Sequence, residues 1–292
     1  MRVITRIFGG LGNQLFQYAA GRSLAAQHDG ELLLDDSLLK QYRHGVTHRN
    51  YELDAFDIRG RKLCHAEAIS LQFRVRRPFR YLYEFGLLNS SFTYYREQNF
   101  EFNPKLNKLN GDLIIEGYWQ SERYFSNISY EIRQELRPVR QPKADWQSWL
   151  DKVSHENSVS LHVRRGDYIS NPKAAKLHPV CDNAYYERAV SLIAECVNNP
   201  VFYVFTDDPD GVMKDLRLDV STVMVSQPHL LRAHEEFHIM RHCAHHIIAN
   251  SAFSWWAAWL SSNPYKLVIA PSQWFRNQKA NRDRIPRTWR IV

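Results

Sequence analysis

"RVITRIFGGLGNQLFQYAAGRSLAAQHDGELLLDD", residues Arg2–Asp36, carries the pattern on which the fold turns. Its opening run, RVITRIF, is rich in β-branched and apolar types and reads as a buried strand. The run stops at Gly9 and Gly10, passes through Leu11 and Gly12, and becomes helical from about Asn13 to Gln27. ELLLDD, Glu31–Asp36, is then a second strand. Strand, helix and strand make a β-α-β unit, and such units build parallel sheets. The glycine turn GGLGNQ departs from the G-x-G-x-x-G spacing and has no P-loop lysine, so by itself it signals a tight turn with close backbone approach rather than a phosphate cradle.

The same alternation returns further along. DLIIEGYW (Asp112–Trp119) is a strand after a less regular stretch, Ser37–Asn110. Pro138 and Pro142 mark a linker, followed by a short helix around Trp146–Val153. Strands are expected at Ser158–Val163, Val201–Thr206, Val220–Val225, His245–Ala249 and Lys266–Ala270, with helices at Asn183–Val197 and Ser251–Ser262. This is the pattern of a doubly wound α/β sheet, whose ligands bind beyond the carboxyl ends of its strands. A chain of 292 residues suits two domains, expected at 1–152 and 153–292.

With 44% hydrophobic and 24% charged residues the chain is an ordinary globular one. The longest purely apolar run, Trp255–Leu260, is far below the roughly 20 residues a membrane span needs, and the first residues lack a signal-peptide core. A cytoplasmic place is expected. Cys64, Cys181, Cys196 and Cys243 show no paired spacing, which argues against both a disulfide framework and a cysteine zinc site. A net charge of +7 and a pI near 9.2 favour an anionic partner. The cluster RVRRPFRYLY, Arg74–Tyr83, mixes arginines with aromatics as a membrane-surface patch does, whereas no nucleic-acid motif accompanies the charge and no nucleic-acid partner is expected.

Three strand ends carry chemistry. After Val163 comes RRGDY, Arg164–Tyr168, whose guanidinium forks suit a diphosphate. After Thr206 comes DDPD, where Asp207 and Asp208 can cap the helix that Pro209 begins, hold a divalent metal, or take the N–H groups of a guanine ring. After Ala249 comes NSAFS, in which Ser251 caps a tryptophan-rich helix and leaves backbone N–H groups directed at an anion. A competing pattern is HEEFH, His234–His238, which fits the H-E-x-x-H spacing of a zinc peptidase. Phe237, Met240 and Cys243 recur three apart, however, as the apolar stripe of an ordinary helix, and no metal site is expected.

Five blocks resemble the α-1,2-fucosyltransferases of glycosyltransferase family 11: FGGLGNQLFQYAAGRSLA, IIEGYWQSERYF (Ile114–Phe125), LHVRRGDY (Leu161–Tyr168), YVFTDDP (Tyr203–Pro209) and HHIIANSAFSWWAAWL (His245–Leu260). They occur in the family's order. The arginine loop is shared with α-1,6- and protein O-fucosyltransferases, so the resemblance speaks for GDP-fucose more broadly than for the linkage. It implies a GT-B fold, two Rossmann-like domains facing across a cleft, with GDP-β-L-fucose mainly in the C-terminal domain and neither metal nor cofactor. By the same resemblance Arg164 holds the β-phosphate, and His162 and Asp167 shape the loop. Asp207 or Asp208 would take guanine, and Asn250, Ser251, Phe253 and Ser254 would lie by the diphosphate. Asn13, with Gly10 and Gly12, lines the cleft from the first domain. Arg164, Asp167 and Asn13 form the expected catalytic set.

The implied reaction is inverting transfer of L-fucose to the 2-hydroxyl of a β-galactosyl acceptor, an oligosaccharide or lipid-linked glycan, with peripheral contact at the inner membrane face as a further expectation. Another linkage, such as α-1,6, and a nucleotide-sugar-binding module without turnover are the alternatives. For the acceptor proton, Asp35, Asp36, Glu52, Asp54 and Glu116 are N-domain carboxylates that could serve, and the sequence selects none of them.

Overall fold

Val3 and Ile4 are buried because β1 (Arg2–Arg6) has neighbours on both sides, β2 (Glu31–Asp35) and β5 (Asp112–Glu116), each paired with it in parallel. β3 (Arg61–Lys62) and β4 (Phe92–Arg96) extend the sheet to the order β3-β2-β1-β5-β4. Arg6 is the charge at the buried end of β1, and it is neutralised by Asp35 from β2, at 3.1 Å, and Glu116 from β5. The first helix, Leu11–Gln27, starts two positions before the expected Asn13. Gly10 takes the extended cap conformation (φ −77°, ψ 175°), so Leu11 and Gly12 already lie in the first turn. Gly9 is the turn residue, at φ +78°, where a side chain would be strained.

A second parallel sheet has the order β11-β10-β9-β6-β7-β8. Its strands are β6 (Ser158–Val163), β7 (Val201–Thr206), β8 (Thr222–Met224), β9 (His245–Ile247), β10 (Val268–Ala270) and β11 (Arg290–Ile291). β6 is buried along its whole length. Val159, Leu161 and Val163 pack in a core with Tyr186, Ala189 and Ile193 of the helix Asn183–Cys196. The alternate residues are polar but satisfied: the Ser158 hydroxyl donates to His155 O at 2.8 Å, Ser160 pairs with His246 Nδ1 at 2.8 Å, and His162 Nδ1 with Ser254 at 2.9 Å. Burying such groups is tolerable only with partners of this kind.

The structure describes residues 1–41, 47–75, 92–227, 230–276 and 283–292. Two compact units meet between Arg137 and Pro138, in the proline-containing stretch read as a linker. The break therefore comes earlier than the expected 152/153. The helix Ala144–Val153 goes with the second unit because its Trp146 packs on His234 and His238 of the helix Ala233–His242. β4 falls in the stretch that the sequence left irregular, and the basic cluster running on to Tyr83 lies outside the described residues beyond the helix His65–Val75. Among the described residues no helix is long and apolar enough to cross a membrane.

Candidate functional site

In the second sheet the strand order reverses once, between β6 and β9. Connections leave such a point in opposite directions and open a crevice at the carboxyl ends. In the second sheet the two bordering segments are the arginine loop after β6 and Asn250-Ser251 after β9, so two of the three strand ends singled out by sequence adjoin the reversal.

Arg164 is the centre of the loop. Its Nη2 donates to Asp167 at 2.6 Å, its Nη1 pairs with Asp207 at 2.8 Å, and its guanidinium stands 5.6 Å from the Tyr168 ring centroid. Burial works against the charge, yet Asp207 and Asp167 outweigh it and hold the guanidinium firmly protonated. Asp207 also accepts from the backbone N–H groups of Arg165, at 2.9 Å, and Gly166, at 3.1 Å. A Cβ on Gly166 would come within 2.5 Å of this carboxylate, so glycine allows the close approach. Partial burial alone would raise the Asp207 carboxyl, but Arg164 and the two N–H groups hold it below its usual range.

Asp208 is committed elsewhere. It caps the helix Pro209–Asp215 by accepting from Gly211 N at 3.1 Å, and it pairs with Arg165 at 3.3 Å. Arg165 also pairs with Asp215. Both members of the acid pair have partners of their own: one ties the arginine loop to β7, the other caps a helix.

The start of the helix Ala252–Leu260 meets β6 directly. Ser251 caps it, accepting from Phe253 N at 3.3 Å, and the Ser254 hydroxyl donates to Ser251 O at 3.3 Å. His162 Nδ1 shares a hydrogen bond with the same hydroxyl, and Phe253 lies 5.8 Å from the His162 ring. Burial, with help from Arg164, pushes His162 down to about 3 against the pull of Asp207, so the imidazole is neutral at physiological pH. His162, Ser251, Phe253 and Ser254 therefore form one group.

Asn250 does not join them. Fully buried, its amide donates to Pro179 O at 2.7 Å and Trp274 O at 3.2 Å, pinning two loops. Its backbone carbonyl accepts from Tyr168 OH at 3.0 Å, and the Tyr168 ring stacks on His178 with centroids 4.6 Å apart. Asn250 and Tyr168 lock the arginine loop to the end of β9 rather than facing a ligand.

Glu236 is the residue whose chemistry was not legible in the sequence. It lies on the helix Ala233–His242, half-buried, hydrogen-bonded to Ser226, whose Oγ also accepts from Thr206 N at 2.9 Å at the end of β7. Burial, and then the charge of Asp207, push its carboxyl up to about 7 although Ser226 pulls the other way. Inside HEEFH it sits between two histidines that pack on Trp146, and His238 is driven down to about 2, by burial first and then by Arg241. These two rings are packing groups.

The first unit builds its own polar group beyond the ends of two neighbouring strands, β1 and β5. Asn13, after β1, accepts from Gln120, after β5, at 2.6 Å, and Gly10 O accepts from the N–H groups of Asn13 and Gln14 at 2.9 and 3.1 Å. Gly12 is buried in the first helical turn, so Gly10 and Asn13 are the half-buried members of the expected set.

The sequence matches the family description "Glycosyl transferase family 11" over residues 81–290. It is 32% identical to an α-1,2-colitosyltransferase of Escherichia coli, across 98% of this chain and 97% of that protein. It is 31% identical to the E. coli O-antigen biosynthesis glycosyltransferase WbnK, across 91% and 93%. A galactoside 2-α-L-fucosyltransferase of Caenorhabditis elegans is 24% identical, across 96% and 76%. Among solved structures, a mutant of Arabidopsis thaliana FUT1 in complex with GDP aligns with TM-score 0.51 at 13% identity, covering 91% of this chain and 69% of that one. POFUT1 in complex with GDP aligns with TM-score 0.50 at 10% identity, covering 92% and 97%. At these identities the likeness speaks for the fold, which is the GT-B class expected.

Proposed function

The chain belongs to glycosyl transferase family 11 and is a glycosyltransferase, and from that premise we propose that it moves L-fucose from GDP-β-L-fucose to the 2-hydroxyl of a β-galactosyl acceptor, with inversion and without a metal. One observation carries the reading: a guanidinium, Arg164, fixed by two carboxylates at the point of strand reversal, next to the capped start of a helix. A departing nucleoside diphosphate develops negative charge, and donors already aimed at it need no reorganisation. Arg164 and the N–H groups after Ser251 supply that stabilisation. His162, neutral and hydrogen-bonded to Ser254, keeps the helix start seated against β6.

With Asp207 and Asp208 both committed, Glu236 is the carboxylate we assign to the guanine N–H groups. It lies beyond β7, so base, diphosphate and sugar would run along the strand ends from Glu236 past Arg164 toward Ser251. The names of the relatives support α-1,2 transfer to a glycan such as an O-antigen unit. The name of the first of them also favours a second donor reading, a colitose donor such as GDP-colitose.

The test is GDP release from GDP-L-fucose or GDP-colitose, with lactose or a Galβ1,3-glycan as acceptor, in EDTA and again with magnesium. Acceptor-dependent release in EDTA, with an α-1,2-linked product by NMR, is expected. An absolute magnesium requirement would refute metal independence, and failure with every donor and acceptor would refute the reaction. Arg164→Ala should lower turnover by at least about a hundredfold.

A further inference from the structure

The segment that follows β9 is almost entirely inside the second unit. From Asn250 to Ser261 every residue is buried except Ala252 and Phe253, and Trp255, Trp256 and Trp259 are all in the core. Phe253 is therefore the one large side chain of this segment that keeps part of its surface open. It does so in the first turn of the helix Ala252–Leu260, where its N–H donates to the capping Ser251 at 3.3 Å. Apolar surface left open to water costs free energy, which contact with an apolar part of a ligand recovers.

The ring has firm backing. The His162 imidazole lies 5.8 Å from it at an interplanar angle of 34°, and Phe237 meets it edge to face at 5.4 Å and 70°. Both neighbours are buried, and His162 is itself tied to Ser254 at 2.9 Å. Phe253 is thus held between the end of β6 and the helix Ala233–His242.

A donor laid along the strand ends from Glu236 past Arg164 brings its sugar to this helix start. The sugar is bonded directly to the β-phosphate, so a phosphate taken by Arg164 and the N–H groups beyond Ser251 leaves the sugar beside Phe253. Fucose and colitose are both 6-deoxy sugars: C6 is a methyl group where a hexose carries a hydroxymethyl. At the sugar end of such a donor the phosphate is charged and the hydroxyls are polar, and the methyl is the piece that matches an open ring. The base also has a face that could stack, but it lies at the other end of the diphosphate, by Glu236.

We propose that Phe253 selects a 6-deoxy sugar in the donor, packing its open surface against the C6 methyl group. The assignment rests on the donor reading above and concerns the second unit alone. A C6 hydroxyl in the same place would give up water against carbon, and the polar atoms behind the ring, His162 Nδ1 and Ser254 Oγ, already share a bond.

The experiment titrates wild type, Phe253→Ala and Phe253→Leu calorimetrically, without acceptor, with GDP, GDP-L-fucose and GDP-L-galactose, whose sugar is fucose carrying a hydroxyl at C6. Transfer to lactose from both donors is run in parallel. Wild type should favour GDP-L-fucose over GDP-L-galactose by about 10- to 100-fold. Phe253→Ala should bring that ratio within a few-fold of one while GDP affinity stays at the wild-type value, and Phe253→Leu, still apolar, should keep most of the preference. An unchanged ratio in Phe253→Ala, or a wild type with no preference, would overturn the assignment. GDP affinity falling in step with that for GDP-L-fucose would overturn it equally, because the ring would then serve the nucleotide or the fold. The titrations read the ratio whether or not transfer occurs, so a preserved preference without product would count against the reaction and leave the assignment standing.

Discussion

Replacing Asp207 by alanine separates two jobs that a carboxylate at the end of β7 could perform. As the tie of the arginine loop it accepts from two backbone N–H groups and pairs with Arg164. Each hydrogen bond to an ionised acceptor is worth about 1.5–3 kcal/mol when dry, but with the side chain 25% exposed water replaces part of it, leaving about 1 kcal/mol apiece. The ion pair, with Arg164 19% exposed, adds up to about 1 kcal/mol. A total of roughly 2–3 kcal/mol lowers the unfolding midpoint of the second unit by roughly 4–12 °C. Asp207→Asn keeps an oxygen for both N–H groups and should cost only about 1 kcal/mol. Calorimetry of the ligand-free protein reads these shifts, and titration with GDP and ADP reads base selectivity. An unshifted midpoint in Asp207→Ala, together with loss of the preference for GDP over ADP, would refute the loop-tie reading and return Asp207 to guanine recognition.

Other substitutions test other parts of the site. The folded-state pKa of Glu236, about 7, lies above its ordinary 4.5, so the fold favours the protonated acid and its contribution to stability is lost as pH rises from about 4.5 through about 7; Glu236→Gln should therefore be the more stable protein at pH 8 by urea unfolding. Because only the ionised carboxylate accepts two guanine N–H bonds, wild-type affinity for GDP-fucose should rise with pH through about 7, and in Glu236→Gln that rise should be absent from calorimetric titrations. Gly9→Ala forces alanine to φ +78° with its Cβ 2.7 Å from Asn13 Nδ2, which should cost about 1–2 kcal/mol in urea unfolding and slow transfer while leaving GDP affinity intact. Asp167→Asn should tighten GDP binding several-fold, and a weakened complex would contradict the exchange described below.

Much of this architecture was legible because its signals are local. The change from a strand pattern to a helical one across Gly9–Gly12, the Ser251 cap and the arginine loop after Val163 each lie within a few residues, and the structure has them where the patterns place them. β4 and β11 were not legible: FTYYR lacks clean alternation, and Arg290–Ile291 is too short to carry a period. The division at Arg137–Pro138 depends on Trp146 finding His238, a contact far apart in sequence. The same holds for the acids. Nothing near Asp207 in sequence says that the N–H groups of Arg165 and Gly166 will use its oxygen, and nothing near Glu236 says that burial beside Asp207 will hold it protonated to about pH 7. Residue type was readable, while commitment was decided by tertiary partners.

The charges around the arginine loop constrain how a diphosphate can enter. Arg164 faces Asp167 and Asp207, and Arg165 faces Asp208 and Asp215, so the acids outnumber the guanidinium groups. At about 4 Å and an effective dielectric constant near 20, each like-charge contact costs about 4 kcal/mol, so a phosphate cannot simply be added to Arg164 while both carboxylates stay. It must take the place of one. Asp207 is the poorer candidate to leave, because its departure would also strip the N–H groups of Arg165 and Gly166 of their acceptor. Asp167 lies in the short helix Gly166–Ser170, on the loop itself, and meets the guanidinium at its Nη2 edge. Exchange at that edge conserves the charge balance of the guanidinium and leaves Nη1 anchored on Asp207, so Arg164 need not search for its place. The N–H groups beyond Ser251 meet no competing acid in their own turn and supply the remaining attraction. Neutralising Asp167 removes the competitor without loosening the anchor, which is why its amide variant should bind GDP more tightly than wild type.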